Sequence, residues 1–351
     1  MENSNFAAEN QSSPASQIGL RPASSGVGQV IWRLLSRSYL LLVLLAMILV
    51  GSLVSEQFLT WRNALNVLSF SSIFALLAVG QFFVVLTGGI DLSVGAVLAL
   101  ATVVAALTMQ AGFDAGSAIA FTLAACSFAG LVTGAMIVYL RIPPFITTLG
   151  MMTALQGISY IIQSSSLIYI ENTTFVTFLS EGSLLGIRSP VYIFVVVTIV
   201  AAIVARFTVF GRSLYAIGGN REAARLSGLP VNRSLLVTYI LSGALAGVAG
   251  LVAAAQLYQG SSLIGRGYEL DAIAAVVVGG ATLMGGRGDP ISAVVGVFIL
   301  SIIVNIMNLL GISSEPQLVI KGAVILLAVY LSSAGGVNQI AQLFGRGQGA
   351  Q

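Results

Sequence analysis

The sequence predicts an all-α fold, a polytopic membrane helical bundle of about ten transmembrane helices. Hydrophobic residues make up 57% of the 351-residue chain and charged residues only 8%, whereas an ordinary soluble domain carries about 25% charged residues. Long apolar runs recur along the chain, and a helix needs roughly 20 apolar residues to cross a bilayer. The runs are continuous rather than alternating, which favours helices over the strands of a closed barrel.

The predicted spans define the domain organisation. A polar tail at residues 1–37 is expected to be disordered and cytoplasmic. Because it is too polar and too long to precede a cleaved signal peptide, the first apolar run is expected to be retained. A transmembrane domain at 38–333 and a short cytoplasmic tail at 334–351 follow. The predicted spans are 38–54, 66–87, 93–110, 117–139, 144–162, 190–206, 234–256, 268–284, 290–310 and 317–333.

The arginines predict the orientation, because cytoplasmic loops of membrane proteins carry an excess of Lys and Arg. With both termini in the cytoplasm, only Arg62, Arg188 and Arg266 face outward. The net charge of +3 is therefore interpreted as an orientation signal, and no nucleic-acid partner is predicted. The arginines that face inward are Arg21, Arg33, Arg37, Arg141, Arg206, Arg212, Arg221, Arg225, Arg233, Arg287 and Arg346.

The residue inventory argues against an enzyme. The chain has no histidine, which is the commonest general base and metal ligand. It also lacks the Gly-x4-Gly-Lys-Ser/Thr loop that would cradle the phosphates of ATP. The single cysteine, Cys126, lies in an apolar run and has no intramolecular disulfide partner. No catalytic residue, metal ligand or cofactor is therefore predicted.

Four acids and one lysine near the ends of spans are candidate path or helix-cap residues. Asp91 and Asp289 each follow a glycine pair at a helix start, where a carboxylate can accept hydrogen bonds from free backbone N–H groups. Glu269 and Asp271 open the eighth span and suit the same capping role. Lys321, in the tenth span, is expected to snorkel to the interface or to pair with an acid, and a translocation role is the alternative.

Two similar glycine-rich segments indicate a parallel internal repeat. The segment 88–91 precedes the run that begins near Val94, and the segment 285–289 precedes the run that begins near Ile291. The spans involved are six apart, and an even offset means that the two copies run in the same direction. The alternative is a chance recurrence among the 39 glycines.

The longest predicted inner loop, Phe207–Asn232, carries a motif for a partner. It is basic and is expected to form a short helix, Arg221–Ser227, ended by Gly228. The Glu-Ala-Ala sequence at 222–224, with Gly228 four residues later, matches the coupling-loop pattern of permeases in ATP-binding-cassette importers. A solvated linker is the alternative, although loops of this length usually have a function. The predicted coupling residues are Arg212, Arg221, Glu222, Ala223, Ala224, Arg225 and Gly228.

Further motifs occur in a fixed order along the chain: Thr87–Gly95, Pro143–Gly150, Gly211–Arg212, Ala216–Asn220, Glu222–Gly228, Gly267–Val277 and Gly285–Gly288. Together they make the chain resemble the permeases of ribose-type sugar importers of the ATP-binding-cassette class, the ribose/xylose/arabinose permease family. The resemblance covers about residues 40–332. One departure is that Leu229-Pro230 directly follows the glycine of the coupling pattern instead of coming several residues later.

The resemblance implies a subunit that moves a ribose-like pentose, a hexose or a related polyol from periplasm to cytoplasm across the bacterial inner membrane. It implies three kinds of partner: ATPase subunits below, a periplasmic sugar-binding protein above, and a second permease copy in a homodimer. A branched-chain amino acid permease is the alternative within the class, but a zwitterion should want charged groups in a path that is predicted to be neutral. An ion-coupled carrier would work without an ATPase, and a receptor or scaffold would need a sensing domain that the sequence lacks.

Overall fold

The computed structural model describes residues 27–164 and 166–332, with side chains described from Leu40 onward except at 328, 331 and 332. Two compact units divide the chain, residues 1–39 and 40–351. The first helix begins at Val27, earlier than the predicted boundary at residue 38. Residues 1–26 of the predicted N-terminal tail, and the predicted C-terminal tail at 334–351, lie outside the described residues.

Helices dominate the described part of the chain. A π-helical turn, Thr177–Glu181, follows a short helix, Thr173–Val176. Four two-residue strands form two antiparallel pairs, β1 (Ile168–Tyr169) with β4 (Gln259–Gly260) and β2 (Ser183–Leu184) with β3 (Ile187–Arg188). The helices are α1 (Val27–Val54), α2 (Trp61–Leu86), α3 (Val94–Gln110), α4 (Ala115–Tyr139), α5 (Pro144–Gln163), α6 (Thr173–Val176), α7 (Ser189–Phe207), α8 (Val209–Gly219), α9 (Arg221–Leu226), α10 (Val231–Leu257), α11 (Tyr268–Val278), α12 (Pro290–Leu309) and α13 (Ser314–Ser332).

Six of the described helices, α2, α4, α5, α7, α10 and α12, are long and apolar enough to cross a membrane. Helix α3 and the Leu40–Val54 part of α1 are shorter apolar helices. The all-α membrane bundle predicted from the sequence is therefore confirmed. The predicted eighth span, 268–284, is wrong as a single helix, because α11 ends at Val278. Its 11 residues rise only about 16 Å, which is half the thickness of a hydrocarbon core.

The centre of the bundle is formed by α2, α3, α4 and α10. From Ser71 to Leu86 every residue of α2 is buried, as expected for a helix that is apolar on all faces. Glycines allow α4 and α10 to touch along their backbones. A Cβ added at Gly130 would lie 2.2 Å from the carbonyl oxygen of Tyr239, and one added at Gly243 would lie 2.4 Å from the carbonyl oxygen of Cys126. Such close backbone approach is how helices pack where no hydrophobic force drives them together.

Polar caps fix some helix starts. The Asp114 side chain accepts hydrogen bonds from the backbone N–H of Gly116 and from the hydroxyl of Ser117, and these bonds begin α4. The Ser117 hydroxyl, followed by the Gly116 N–H, holds the pKa of the Asp114 carboxyl below its ordinary value. Asn172 and Asn220 cap α6 and α9 in the same way.

Candidate functional site

Asp91 organises a short non-helical link inside the bundle. The link, residues 88–93, connects α2 to α3, and Asp91 is only 3% exposed. One carboxylate oxygen of Asp91 accepts hydrogen bonds from the backbone N–H of Ser93 at 2.9 Å and from its hydroxyl at 2.6 Å. The other oxygen accepts a hydrogen bond from the hydroxyl of Ser242 in α10 at 2.8 Å. The buried carboxyl group is therefore held by three donors, which offset its cost of burial.

The backbone of this link is also paired. The hydroxyl of Thr148 donates to the carbonyl oxygen of Ile90 at 3.2 Å. The Gln81 amide, oriented with its nitrogen toward the Asp91 carbonyl oxygen, bonds both backbone groups of Asp91 at 3.0 and 3.2 Å. Non-helical backbone is tolerated at membrane depth only where protein groups satisfy it. Side chains of α2 and α5 supply those groups here.

The predicted helix-capping roles need correction at both aspartates. Ser93, and not Asp91, occupies the N-cap position of α3, and it makes no side-chain capping bond. Asp289 does occupy the N-cap position of α12, but its side chain makes no capping bond either. Its carboxylate pairs with Arg206 at the end of α7 at 2.7 Å. The Asp289 carboxylate is therefore held by a tertiary partner, whereas Asp91 accepts bonds from both the local Ser93 and Ser242 of α10.

A second non-helical segment, residues 258–267, connects α10 to α11 and lies along α3. The Thr102 hydroxyl donates to the carbonyl oxygen of Ser261 and accepts from its N–H, both at 3.1 Å. The N–H of Ser262 donates to the Gln163 side chain at 2.7 Å. These bonds place the backbone of Gly265 against Gly95, where an added Cβ at Gly265 would lie 2.5 Å from the Gly95 carbonyl oxygen.

The remaining charged candidates lie on α11 and α13. Glu269 and Asp271 are in the first turn of α11, where the helix dipole favours acids. Asp271 accepts a hydrogen bond from the Lys321 ammonium at 2.9 Å, and the two side chains are 18% and 28% exposed. Glu269 lies elsewhere, beside Gly95 of α3. The structure thus brings Asp271 and Lys321 together and keeps Asp91 and Asp289 apart from them in separate contacts.

Four glycines from three segments meet where α2, α8 and the α11–α12 connection come together. We call this contact the glycine junction: Gly88, Gly218, Gly285 and Gly286. A Cβ added at Gly285 would lie 2.7 Å from the Gly88 nitrogen and 3.0 Å from the Gly218 Cα. Gly88, Gly285 and Gly286 have φ angles of 77°, 87° and 75°, which side chains rarely adopt. The junction therefore requires glycine for both space and backbone conformation.

The predicted coupling residues lie on α8, on α9 and directly after α9. Asn220 begins α9, and its side chain accepts a hydrogen bond from the Ala223 N–H at 2.9 Å. Ala224 is buried, whereas Leu226 is 79% exposed. Gly228 follows the helix with a φ of 79°, as the sequence pattern predicted for a helix-ending glycine. Arg212, Arg221, Glu222, Ala223 and Arg225 are exposed.

Helix α8 joins this exposed segment to the interior. Its Tyr215 hydroxyl donates to the Gly288 carbonyl oxygen at 2.9 Å, and its Gly218 enters the glycine junction. Its buried residues are Gly211, Ser213, Leu214 and Ile217. The sequence predicted one short helix in this loop, and α8 was missed because it is short and follows α7 after a single residue, Thr208. The arrangement can carry a displacement from α9 to both glycine-rich connections.

The model of the family described as branched-chain amino acid transport system / permease component matches residues 63–329. This chain belongs to that permease family. The permease is 41% identical to the ribose import permease protein of Escherichia coli strain K12 over 296 residues, which is 84% of this chain and 92% of the relative. It is 36% identical to the D-allose transport system permease protein of the same strain over 86% of this chain and 92% of the relative. No solved structure matches the chain.

A third relative is the L-arabinose ABC transporter permease protein of Azospirillum brasilense, 35% identical over 91% of this chain and 93% of the relative. The family resemblance drawn from the sequence is thereby confirmed, as is the conclusion that the chain is a transport permease of ATP-binding-cassette importers and not an enzyme. The permease is a multi-pass protein of the inner membrane. Sequence reasoning missed the polar side chains that support its non-helical segments, chiefly Gln81, Thr102, Gln163 and Ser242, since serines, threonines and glutamines within spans carry no pattern that marks their partners.

Proposed function

We propose that this permease imports a monosaccharide, a ribose-like pentose, a hexose or a related polyol, from periplasm to cytoplasm, using ATP hydrolysed by partner subunits. The observation that carries the proposal is the similarity to ribose, allose and arabinose permeases across more than four fifths of the chain. A local match would support only a shared fold. The family model also matches residues 63–329, a range that contains helices α3 to α12.

The site of ATPase docking is proposed to be α9 with the residues around it, Arg212, Arg221, Glu222, Ala223, Ala224, Arg225 and Gly228. Helix α9 has only six residues. The Asn220 cap at its start and Gly228, which follows it with a positive φ, fix where it begins and ends. Leu226 exposes an apolar surface beside Arg225, a combination that suits a protein partner with acidic groups around an apolar pocket. Force applied there reaches the interior through α8.

The membrane topology is proposed to comprise about ten membrane helices with both termini in the cytoplasm. Under this topology α11 is a half-length helix, reached from outside through the segment 258–267. The parallel repeat is supported by the similar course of the two glycine-rich connections. In each, a helix is followed by a glycine with positive φ, a non-helical stretch that contains an aspartate, and the start of another helix. A cysteine at Arg225 should react only with membrane-permeant thiol reagents in intact cells, and a cysteine at Leu185 should react with impermeant reagents as well, both in a Cys126→Ser background.

The outer partner is proposed to be a periplasmic sugar-binding protein that docks on the face formed by α6, the π-helical turn and the β2–β3 hairpin. Leu184 and Leu185 at the tip of this hairpin are 65% and 89% exposed. A polar groove of about 640 Å³ lies beside it, lined by Glu181, Arg188 and Tyr258 among others. A second permease copy is proposed to complete a homodimer.

Reconstitution tests the function directly. The permease should be co-expressed with its partner ATPase and binding protein, and uptake of labelled D-ribose, D-allose and L-arabinose into proteoliposomes should be measured with and without ATP. ATP-dependent uptake of one sugar supports the proposal. ATP-dependent uptake of leucine instead would favour a branched-chain amino acid permease, as the family description suggests. Uptake by the permease alone under a sodium or proton gradient would favour an ion-coupled carrier.

A further inference from the structure

A cavity of about 290 Å³ lies between α3, α5 and the non-helical segment that precedes α11. Small-molecule sites usually measure about 300–1,000 Å³, so this one is suited to a small ligand. Both apolar and polar side chains line it. The apolar ones include Ala99, Met152 and Ile264, and the polar ones are Gln156, Arg266 and Glu269.

The backbone around the cavity is built for close approach. The carboxylate of Glu269 lies against α3 at Gly95, where an added Cβ would be 2.3 Å from its Oε2 atom. The same Cβ would be 2.5 Å from the carbonyl oxygen of Gly265. A larger residue at position 95 would therefore displace Glu269 and the wall of the cavity. Reciprocal bonds between Thr102 and Ser261 hold the same segment in place further along α3.

The polar groups of the cavity come from two sides and differ in chemistry. The guanidinium of Arg266 donates to the hydroxyl of Tyr160 and lies over the same ring, 5.6 Å from its centre. Arg266 offers only donors, Glu269 when ionised offers only acceptors, and the Gln156 amide offers both. Among the described residues, the Gln156 side chain has no hydrogen-bond partner, so its amide is free to bind a ligand.

We propose that this cavity binds the monosaccharide during its passage, with Gln156, Arg266 and Glu269 hydrogen-bonding the sugar hydroxyls. The inference rests on the proposed import of a monosaccharide and names the residues that would hold it. A hydroxyl both donates and accepts, so a ring bearing several hydroxyls needs the mixed set of groups that this cavity supplies. Arg266 and Glu269 carry opposite charges, so the cavity has no net charge. Because a pair of opposite charges also suits a zwitterion, the test below includes leucine beside the sugars. The apolar residues can contact the C–H faces of the ring.

Protection from thiol labelling tests the binding. Cysteines are placed one at a time in a Cys126→Ser background at Ile264, which lines the cavity, and at its neighbour Leu263, which is 54% exposed and does not. Labelling is followed in the complete transporter during ATP turnover, with D-ribose, D-allose, L-arabinose or leucine at millimolar concentration. We expect the sugar that is transported to slow labelling of the Ile264→Cys variant about threefold or more and to leave Leu263→Cys unchanged. Equal rates at Ile264 with and without that sugar, or equal protection by leucine, would overturn the proposal.

Transport by side-chain variants provides the second test. Gln156→Leu keeps the size of the side chain and removes its hydrogen bonds, and we expect it to lower sugar uptake about tenfold while ATPase stimulation by the loaded binding protein persists. Thr153→Leu, on the exposed side of the same helix, is the matched control and should transport normally. Wild-type uptake by Gln156→Leu would refute the cavity as the sugar site while leaving the import function intact. Absence of sugar uptake by the unaltered transporter would refute the proposed function itself.

Discussion

Gly218 of α8 lies against the carbonyl oxygen of Leu86, so closely that a Cβ at position 218 would be 1.9 Å from that oxygen. The same carbonyl accepts a hydrogen bond from the Gly286 N–H at 2.9 Å. Three segments that are far apart in sequence are therefore joined at one peptide group. This contact links the exposed helix α9, through α8, to both glycine-rich connections.

Gly218→Ala should disrupt the glycine junction. Its methyl group must displace backbone, and overpacking of this kind costs about 1–3 kcal/mol. We expect a lower thermal unfolding midpoint of the purified protein, and sugar uptake that falls further than the loss of folded protein explains. Gly219→Ala is the matched control, because an added Cβ there meets no atom within 4 Å. The junction would have no role in coupling if both variants transported like wild type.

Asp91 should tolerate Asn and reject Leu. Asn retains the oxygen that accepts both Ser93 bonds, and its amide nitrogen can donate to the Ser242 hydroxyl, so Asp91→Asn should unfold within a few degrees of wild type. Leu leaves a buried N–H and two buried hydroxyls without this acceptor, each costing about 1–3 kcal/mol. Thermal unfolding in detergent measures both variants. Stable, active Asp91→Leu protein would show that the Asp91 hydrogen bonds do not hold the link. A stable Asp91→Asn protein without transport would assign Asp91 a role in the path.

Much of the bundle could be predicted from the sequence because long apolar runs leave the backbone few alternatives. The predicted span 144–162 became the helix Pro144–Gln163, and 93–110 became Val94–Gln110. The span 268–284 failed at Gly279 and Gly280, since hydropathy does not register a chain break when the following residues remain apolar. A glycine pair inside an apolar run was the signal that could have located it.

The site was harder to predict, because its contacts join residues far apart in sequence. Asp91 and Ser242 are separated by 151 residues, and nothing in either local sequence identifies the other as its partner. The motif at 222–228 was recognisable because its helix and cap are local. Its connection to the interior through Gly218 was not, since Gly218 and Gly219 have the same sequence signature and only one of them is enclosed.

Asp271 and Lys321 should behave as a coupled pair. Because their side chains are only 18% and 28% exposed, removal of one partner leaves the other with a charge in a partly desolvated position. We expect Asp271→Asn and Lys321→Met each to lower the free energy of unfolding by about 1–3 kcal/mol, and the double variant to lose less than the sum. Detergent-denaturation curves of the four proteins give the coupling energy. Additivity within about 0.5 kcal/mol would mean that the pair contributes no specific interaction.

Leu226 should be required for ATPase docking and dispensable for folding. It is 79% exposed, so Leu226→Asp removes no core contact and should leave the unfolding midpoint unchanged. If an apolar pocket of the ATPase covers this side chain, a buried carboxylate there is costly, and co-purification of the ATPase should fall at least tenfold. Leu184→Asp is the matched control, since Leu184 is also exposed but lies in the β2–β3 hairpin on the proposed outer face. That variant should retain the ATPase. Arg225→Ala should weaken docking more at low salt than at high salt, because its contribution is electrostatic. Normal recovery of the ATPase with Leu226→Asp, or equal loss with Leu184→Asp, would show that α9 is not the docking element.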